Sequence, residues 1–293
     1  MLHSNNNPPR FFPSVGLKLT GQCRLRCPFC CEPDRNQKTY PVESFFELTN
    51  ILSENGTRRL CLTGGEPLLY PDLPKLLNHT KKLGFFNLLL TSDGSLLKQK
   101  YQELLPNVDA VRFSIHGVGS KHDEIVGETN AFSEIDEMIG TLTDLNVPCY
   151  VTTVVSNLNS YDIHHVADWC FSKKIKQYYI FGLMKSGRGM NFIDTKGEVP
   201  EQRISEIMST LNEKYADSAM RIVHYDYRNK SECILVYGDG RVVIDPYPVE
   251  PVYQYEIGNL LSDSIADIKR NFKTDPDNIK GYAAHYDMTP SVE

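Results

Sequence analysis

The residues best suited to chemistry crowd near the N-terminus. Of eight cysteines in 293 residues, four fall within nine positions, Cys23, Cys27, Cys30 and Cys31, while Cys61, Cys149, Cys170 and Cys233 stand singly. The segment Cys23-Arg24-Leu25-Arg26-Cys27-Pro28-Phe29-Cys30-Cys31 has a C-x3-C-x2-C spacing. Three thiolates on one tight loop can hold an iron–sulfur cluster. Each iron of a [4Fe–4S] cube takes one external ligand, so three cysteines leave one iron open to a small molecule. The alternatives are a redox pair or a zinc knuckle. Zinc wants a second pair of Cys or His at ligand spacing, and His3 and His79 sit in no such pattern. Neighbouring side chains rarely converge on one small cluster, so Cys31 is expected to point elsewhere.

Elements must hold that loop in place. Apolar segments at Val15 to Thr20, Arg59 to Thr63, Phe86 to Thr91, Ala110 to Ile115, Cys149 to Val155 and Gln177 to Leu183 read as strands, with helical patterns between them. Val42, Phe45, Phe46, Thr49 and Leu52 make one helical face ending at Gly56, and Leu73, Leu76, Leu77, Thr80 and Leu83 a second ending at Gly84. Ile163, Val166, Ala167 and Cys170 make another behind Ser160, the expected N-cap. Six parallel strands with right-handed crossovers give a doubly wound sheet or an incomplete barrel. In either architecture the chemistry sits beyond the C-terminal strand ends, where the cysteine loop follows the first strand.

Gly64-Gly65-Glu66-Pro67 follows the second strand. This segment and the cysteine loop, with Phe29 before its third cysteine, together resemble the signature motifs of the radical S-adenosylmethionine (radical SAM) superfamily. The resemblance implies a partial (β/α)6 barrel over residues 15-196, in which Cys23, Cys27 and Cys30 bind the [4Fe–4S] cluster and the open iron chelates the SAM amino and carboxylate groups. Gly64, Gly65, Glu66 and Pro67 are then the ammonium site, with glycines that let the backbone approach and a carboxylate that accepts hydrogen bonds. Thr91-Ser92-Asp93-Gly94 is similar to the family's third-strand turn, which places Ser92 at the cofactor. Ser114-Ile115-His116-Gly117 resembles the fourth-strand S-L-D-G segment, with His116 in place of the usual Asp and Ser114 near the SAM carboxylate or ribose. His122-Asp123 on the same loop is also family-like. Arg188, in Lys185-Ser186-Gly187-Arg188-Gly189, is placed at SAM or substrate; a solvated basic turn is the alternative.

Residues 1-14 form a polar arm, and residues 197-293 a small α+β extension. Cys233 to Tyr237 and Arg241 to Ile244 flank Gly238-Asp239-Gly240, a hairpin signal, and Ser262 to Phe272 reads as a helix. With Ile257-Gly258-Asn259-Leu260, this extension is similar to the SPASM/twitch type, whose relatives bind auxiliary clusters through several cysteines. Here Cys233 stands alone, so no auxiliary cluster is expected. Without that electron sink, redox-neutral outcomes gain weight: dehydration, decarboxylation, rearrangement or epimerisation. Epimerisation needs a hydrogen donor, and Cys233 and Cys31 are the candidates. His224-Tyr225-Asp226-Tyr227-Arg228, Tyr247, Tyr253 and Tyr255 offer polar aromatic groups for a substrate.

Composition narrows the partners. Acidic residues outnumber basic ones 37 to 31, giving a formal charge of -6, and no basic footprint for nucleic acid is present. No apolar run reaches the roughly 20 residues of a membrane span, and the polar start lacks a signal-peptide core. The expectation is a cytoplasmic enzyme that cleaves SAM with electrons from a reducing partner such as flavodoxin or ferredoxin. Its expected substrate is a sugar or nucleoside-like small molecule. A ribosomally made peptide is the alternative, set second because no peptide-recognition segment is evident before Val15. A non-catalytic iron–sulfur sensor or assembly partner is the alternative of another class.

Overall fold

Strands buried on both faces read as unbroken apolar runs, and such runs make the centre of this molecule. The computed structural model describes residues 11–32, 39–225, 233–245 and 255–272. The six expected strands form as β1 (Ser14–Lys18), β2 (Arg59–Thr63), β3 (Phe86–Thr91), β4 (Ala110–Ser114), β5 (Cys149–Val154) and β6 (Gln177–Phe181). They pair in parallel in chain order.

Helices supply the crossovers: α1 (Val42–Glu54), α2 (Leu73–Lys82), α3 (Gly94–Leu104), α4 (Ser120–Val126), α5 (Ala131–Asp144) and α6 (Ile163–Ser172). Each buries one stripe. In α1 it is Val42, Phe45, Leu48, Thr49 and Leu52; Leu48 takes a buried place and Phe46 is only half-buried. In α5 it is Ala131, Ile135, Met138, Ile139 and Leu142. The chain leaves α1 and α2 through Gly56 and Gly84, both at positive φ, as expected of C-terminal glycines. At α6 the N-cap position is Asp162, not Ser160. Ser160 lies in the preceding turn, where its amide donates to the Ser156 carbonyl at 2.9 Å.

The parallel sheet holds more than the six strands expected. After α7 (Arg188–Lys196) and α8 (Glu201–Lys214), β7 (Arg221–Tyr225) pairs in parallel with β6. The segment Arg-Ile-Val-His-Tyr is half-exposed on the sheet's edge, so it lacks the apolar run that reveals a central strand. The expected hairpin forms as β8 (Cys233–Tyr237) and β9 (Arg241–Asp245), and a strand not anticipated, β10 (Tyr255–Asn259), adds antiparallel to β9. The C-terminal helix α9 (Ile265–Asn271) starts at Ser264, whose hydroxyl accepts from the Asp267 amide at 3.1 Å. β8 also pairs in parallel with β1, so the strand order is β10-β9-β8-β1-β2-β3-β4-β5-β6-β7. Strands from beyond residue 196 therefore continue the core sheet at both of its edges.

Candidate functional site

The C-terminal ends of β1 to β6 surround a cavity of about 270 Å³. Cys27, Phe29, Cys30 and Cys31 border it from the first loop, Gly64 and Gly65 from the second, Ser92 from the third, and Ser114 and His116 from the fourth. Eight residues from four loops, chosen or quoted from sequence, thus meet on one wall with Phe29. Cys31, expected to point away from the cluster, borders the cavity beside Cys30.

Backbone contacts fix the cysteine loop. The Arg26 amide donates to the Val126 carbonyl at 2.7 Å, and the Arg188 and Gly189 amides donate to the Cys30 carbonyl at 2.9 and 3.2 Å. The Ser186 hydroxyl donates to the Cys31 carbonyl at 2.9 Å. Arg24 adds a side-chain tie: its Nε and Nη2 both donate to the Asp93 carboxylate, the second at 2.6 Å. The same carboxylate caps α3 by accepting from the Leu96 amide at 2.9 Å. One aspartate therefore locks the cysteine loop to the turn after β3.

The glycine pair needs its missing side chains. A Cβ on Gly64 would sit 2.2 Å from the Thr20 carbonyl oxygen, and one on Gly65 2.3 Å from that of Gln22. The Gly65 and Glu66 amides donate to those two carbonyls at 2.6 and 2.7 Å. The loops after β1 and β2 are thereby joined backbone to backbone at the cavity's rim.

Glu66 is placed behind this rim, buried. Its Oε1 accepts from the Leu68 amide at 3.1 Å and the Thr91 hydroxyl at 2.9 Å, and its Oε2 from the Ser92 amide at 3.1 Å. Burial pushes its pKa up to about 8, outweighing these three donors. Pro67 is buried too and opens a short 3-10 turn, Pro67–Leu69. Neither residue borders the cavity; the Glu66 carboxylate instead ties the loop after β2 to the turn after β3.

The donor set fits a cluster. Cys27 is half-buried, and its thiol pKa is pushed up to about 12 by desolvation first and then by the neighbouring Cys30 and Cys23. Such a thiol ionises only when a cation offsets the charge, as iron does. Cys23 packs beside Cys27 against Leu25, Val126 and Ala131. Arg188 is close enough to Cys27 to stabilise its thiolate, and its Nε and Nη2 are buried with no hydrogen-bond partner. An anionic cluster or carboxylate would satisfy them. Among the described residues no three His, Cys, Asp or Glu converge closely enough for a single metal ion.

His116 is buried and structurally anchored. Its amide donates to His122 Nδ1 at 3.0 Å, its carbonyl accepts from Asn159 Nδ2 at 2.9 Å, and its Nδ1 accepts from the Val154 amide at 3.3 Å. Burial, then His122, lowers its pKa to about 3, so the ring is neutral. Asp123 is a structural acceptor, taking the Asn130 and Phe132 amides at 2.8 and 2.9 Å.

Several wall residues carried no motif. Lys18 on β1 pairs with Glu32 at 2.5 Å, both buried, and Arg112 on β4 stacks over Tyr179 and Phe181 at 5.6 and 5.8 Å. The available signal was a charge inside an apolar strand, which must face a cavity or a partner. Of the expected aromatic set, Tyr225 reaches the wall and Tyr255 lies in β10. Asp226, Tyr227, Arg228, Tyr247 and Tyr253 lie outside the described residues, as does the side chain of Cys233. Cys61, expected in the core, is buried there and also borders the cavity; Cys149 and Cys170 are buried.

Comparisons with known proteins bear on the family and the fold. The sequence profile of the Radical SAM superfamily matches residues 17–170. The chain is 25% identical over 280 residues to the sporulation killing factor maturation protein SkfB of Bacillus subtilis, covering 91% of this chain and 67% of that protein. It is 26% identical over 201 residues to the GTP 3',8-cyclase of Aquifex aeolicus, covering 58% of this chain and 63% of the cyclase. It is 29% identical over 160 residues to the PqqA peptide cyclase of Bradyrhizobium diazoefficiens, covering 53% of this chain and 41% of the cyclase. The chain thus spans about two fifths to two thirds of these relatives' lengths. In fold it is similar to Streptococcus suis SuiB bound to precursor peptide SuiA, with a TM-score of 0.68 at 15% identity over 91% of this chain and 65% of SuiB. It is equally similar to anSMEcpe with bound AdoMet, with a TM-score of 0.68 at 17% identity over 89% of this chain and 81% of that one.

Proposed function

The chain belongs to the radical SAM superfamily, enzymes that use a [4Fe–4S] cluster and SAM, and on that footing we propose that it modifies a ribosomally made peptide. The observation that carries this reading is the alignment along 91% of the chain with a maturation protein, that of the sporulation killing factor, together with the match to the PqqA peptide cyclase. A peptide thus moves ahead of the sugar or nucleoside expected from sequence. The similarity to a GTP 3',8-cyclase keeps a nucleotide as the second reading. It stands second because it covers 58% of this chain against 91% for SkfB.

In this reading Cys23, Cys27 and Cys30 hold the cluster. When bound, cluster and SAM supply a 5'-deoxyadenosyl radical that takes a hydrogen atom from the substrate. The Gly64 and Gly65 backbone receives the SAM ammonium, and the Glu66 carboxylate ties that loop to the turn after β3. Ser92 and Ser114 offer hydroxyls along the wall, and Arg188 balances anionic charge at the cluster loop. Phe29, Val154, Phe181 and Met184 exclude water, which protects a reactive intermediate. Cys31 borders the same space, where its thiol can return a hydrogen atom; Cys233 is the second candidate for that role. Residues 15-196 act as the catalytic core and the remainder as a SPASM-like cover without auxiliary clusters.

The test is anaerobic incubation of reconstituted protein with SAM, a reductant such as reduced flavodoxin, and one of three substrate sets. These are short peptides encoded beside its gene, GTP, and sugar nucleotides. A peptide mass change with matching 5'-deoxyadenosine supports the reading. Turnover with GTP or sugars alone replaces it with the second reading or the earlier expectation.

A further inference from the structure

Two cationic side chains and no carboxylate line the cavity among the described residues. Lys18 enters from β1 and Arg112 from β4, both buried. Glu32 pairs with Lys18 at 2.5 Å from outside the lining, so the three side chains together carry one positive charge. That lining suits an anionic group on whatever enters. Arg112 lies two residues before Ser114 on the same face of β4, and hence about 7 Å inside the rim of strand ends. Its guanidinium is held over Tyr179 and Phe181, rings two residues apart on β6, at 5.6 and 5.8 Å. Ring contact engages the face of a guanidinium, whereas its N–H donors lie in the plane and match the two oxygens of a carboxylate.

Thr152 adds a hydroxyl at the same place. It borders the cavity and stands opposite Tyr179 in the register of β5 with β6. Its Oγ1 is buried with no hydrogen-bond partner among the described residues, and a ligand oxygen in the lumen would satisfy it. We propose that Arg112, with Thr152 beside it, is a specificity-determining site for a substrate carboxylate, presented by an acidic side chain or the C-terminus of a peptide. This rests on the peptide reading and adds to it the kind of group that enters the lumen. A carboxylate matches the single positive charge, whereas a phosphate ester at about −1.5 to −2 exceeds it.

Small probes test the site without turnover. Acetyl-glutamate methylamide carries a side-chain carboxylate, acetyl-glutamine a terminal one, acetyl-glutamine methylamide neither, and acetyl-phosphoserine methylamide a phosphate. Their affinities are measured by ligand-observed NMR on the anaerobic, cluster-loaded protein holding SAM, for wild type, Arg112→Met and Arg112→Lys. Methionine keeps an apolar stem against the two rings, and lysine keeps the charge without the fork. In wild type a carboxylate probe should bind about tenfold tighter than the neutral one, and the tighter of the two carboxylates identifies the source. Arg112→Met should erase that preference while SAM affinity, read by calorimetry, stays within about twofold, and Arg112→Lys should reduce it several-fold. The proposal is overturned by no preference in wild type, by a preference that survives Arg112→Met, or by a phosphate probe bound tightest. It is also overturned if Arg112→Met weakens SAM binding about tenfold, which would assign the guanidinium to the cofactor. Should Arg112→Met fail to load its cluster, Arg112→Lys decides: a reduced preference supports the site, and a native one overturns it. The peptide reading fails separately, on turnover of GTP or sugars alone.

Discussion

Burial keeps Glu66 protonated until about pH 8, and the folded protein must show that cost in its pH dependence. An unfolded carboxyl releases its proton near its ordinary value of 4.5. Between those values the folded state holds one proton more, so stability falls as pH rises from 4.5 and levels off above 8. Denaturant midpoints of the cluster-free protein at pH 5, 7 and 9 should decline, and Glu66→Gln should flatten that decline. At the cysteines the expectation is simpler. If Cys27 is a ligand as proposed, Cys27→Ala should lower the iron bound after reconstitution several-fold, read by iron analysis and visible absorbance. Sequence made these residues legible because spacing along one loop is itself geometry. Arg24 with Asp93 and Lys18 with Glu32 were not, since both pairs arise only once the β1 loop folds back on itself or onto the turn after β3.

At the scale of elements, the turn after β3 does two jobs through Asp93, capping α3 and clasping the cysteine loop. Asp93→Ala should cost about 1–2 kcal/mol from the lost cap alone, and more from the lost ion pair, reduced by the partial exposure of Arg24. Asp93→Asn keeps a cap acceptor but not the charge, so its melting temperature should fall less while iron retention still drops. Six strands were readable because central strands of a parallel sheet are apolar throughout. β7 and β10 were not, for related reasons. β7 is a half-exposed edge, and β10 is a short edge segment whose register shifts between Glu256 and Gly258. Where packing demands less of a strand, its sequence says less.

Across the whole molecule, the C-terminal segment returns to the start of the chain. β8 lies beside β1 with Leu235 opposite Gly16, and a Cβ on that glycine would come 2.5 Å from the leucine side chain. A chain ending at residue 225 bares the edge of β1, and size-exclusion chromatography should find it aggregated rather than monodisperse. The cysteine inventory sets a second molecular expectation. With Cys61, Cys149 and Cys170 buried in strands and a helix, the thiols left cannot furnish a second full ligand set. Iron and sulfide should each reach about four per chain, the content of one cube.

Electron paramagnetic resonance of the anaerobically reduced protein, recorded with and without SAM, tests the central claim most directly. A signal of one reduced four-iron cluster that changes shape when SAM is added is the predicted result, because the ligand must reach the iron that Cys23, Cys27 and Cys30 leave open. A cluster signal indifferent to SAM, or no four-iron signal at all, contradicts the account.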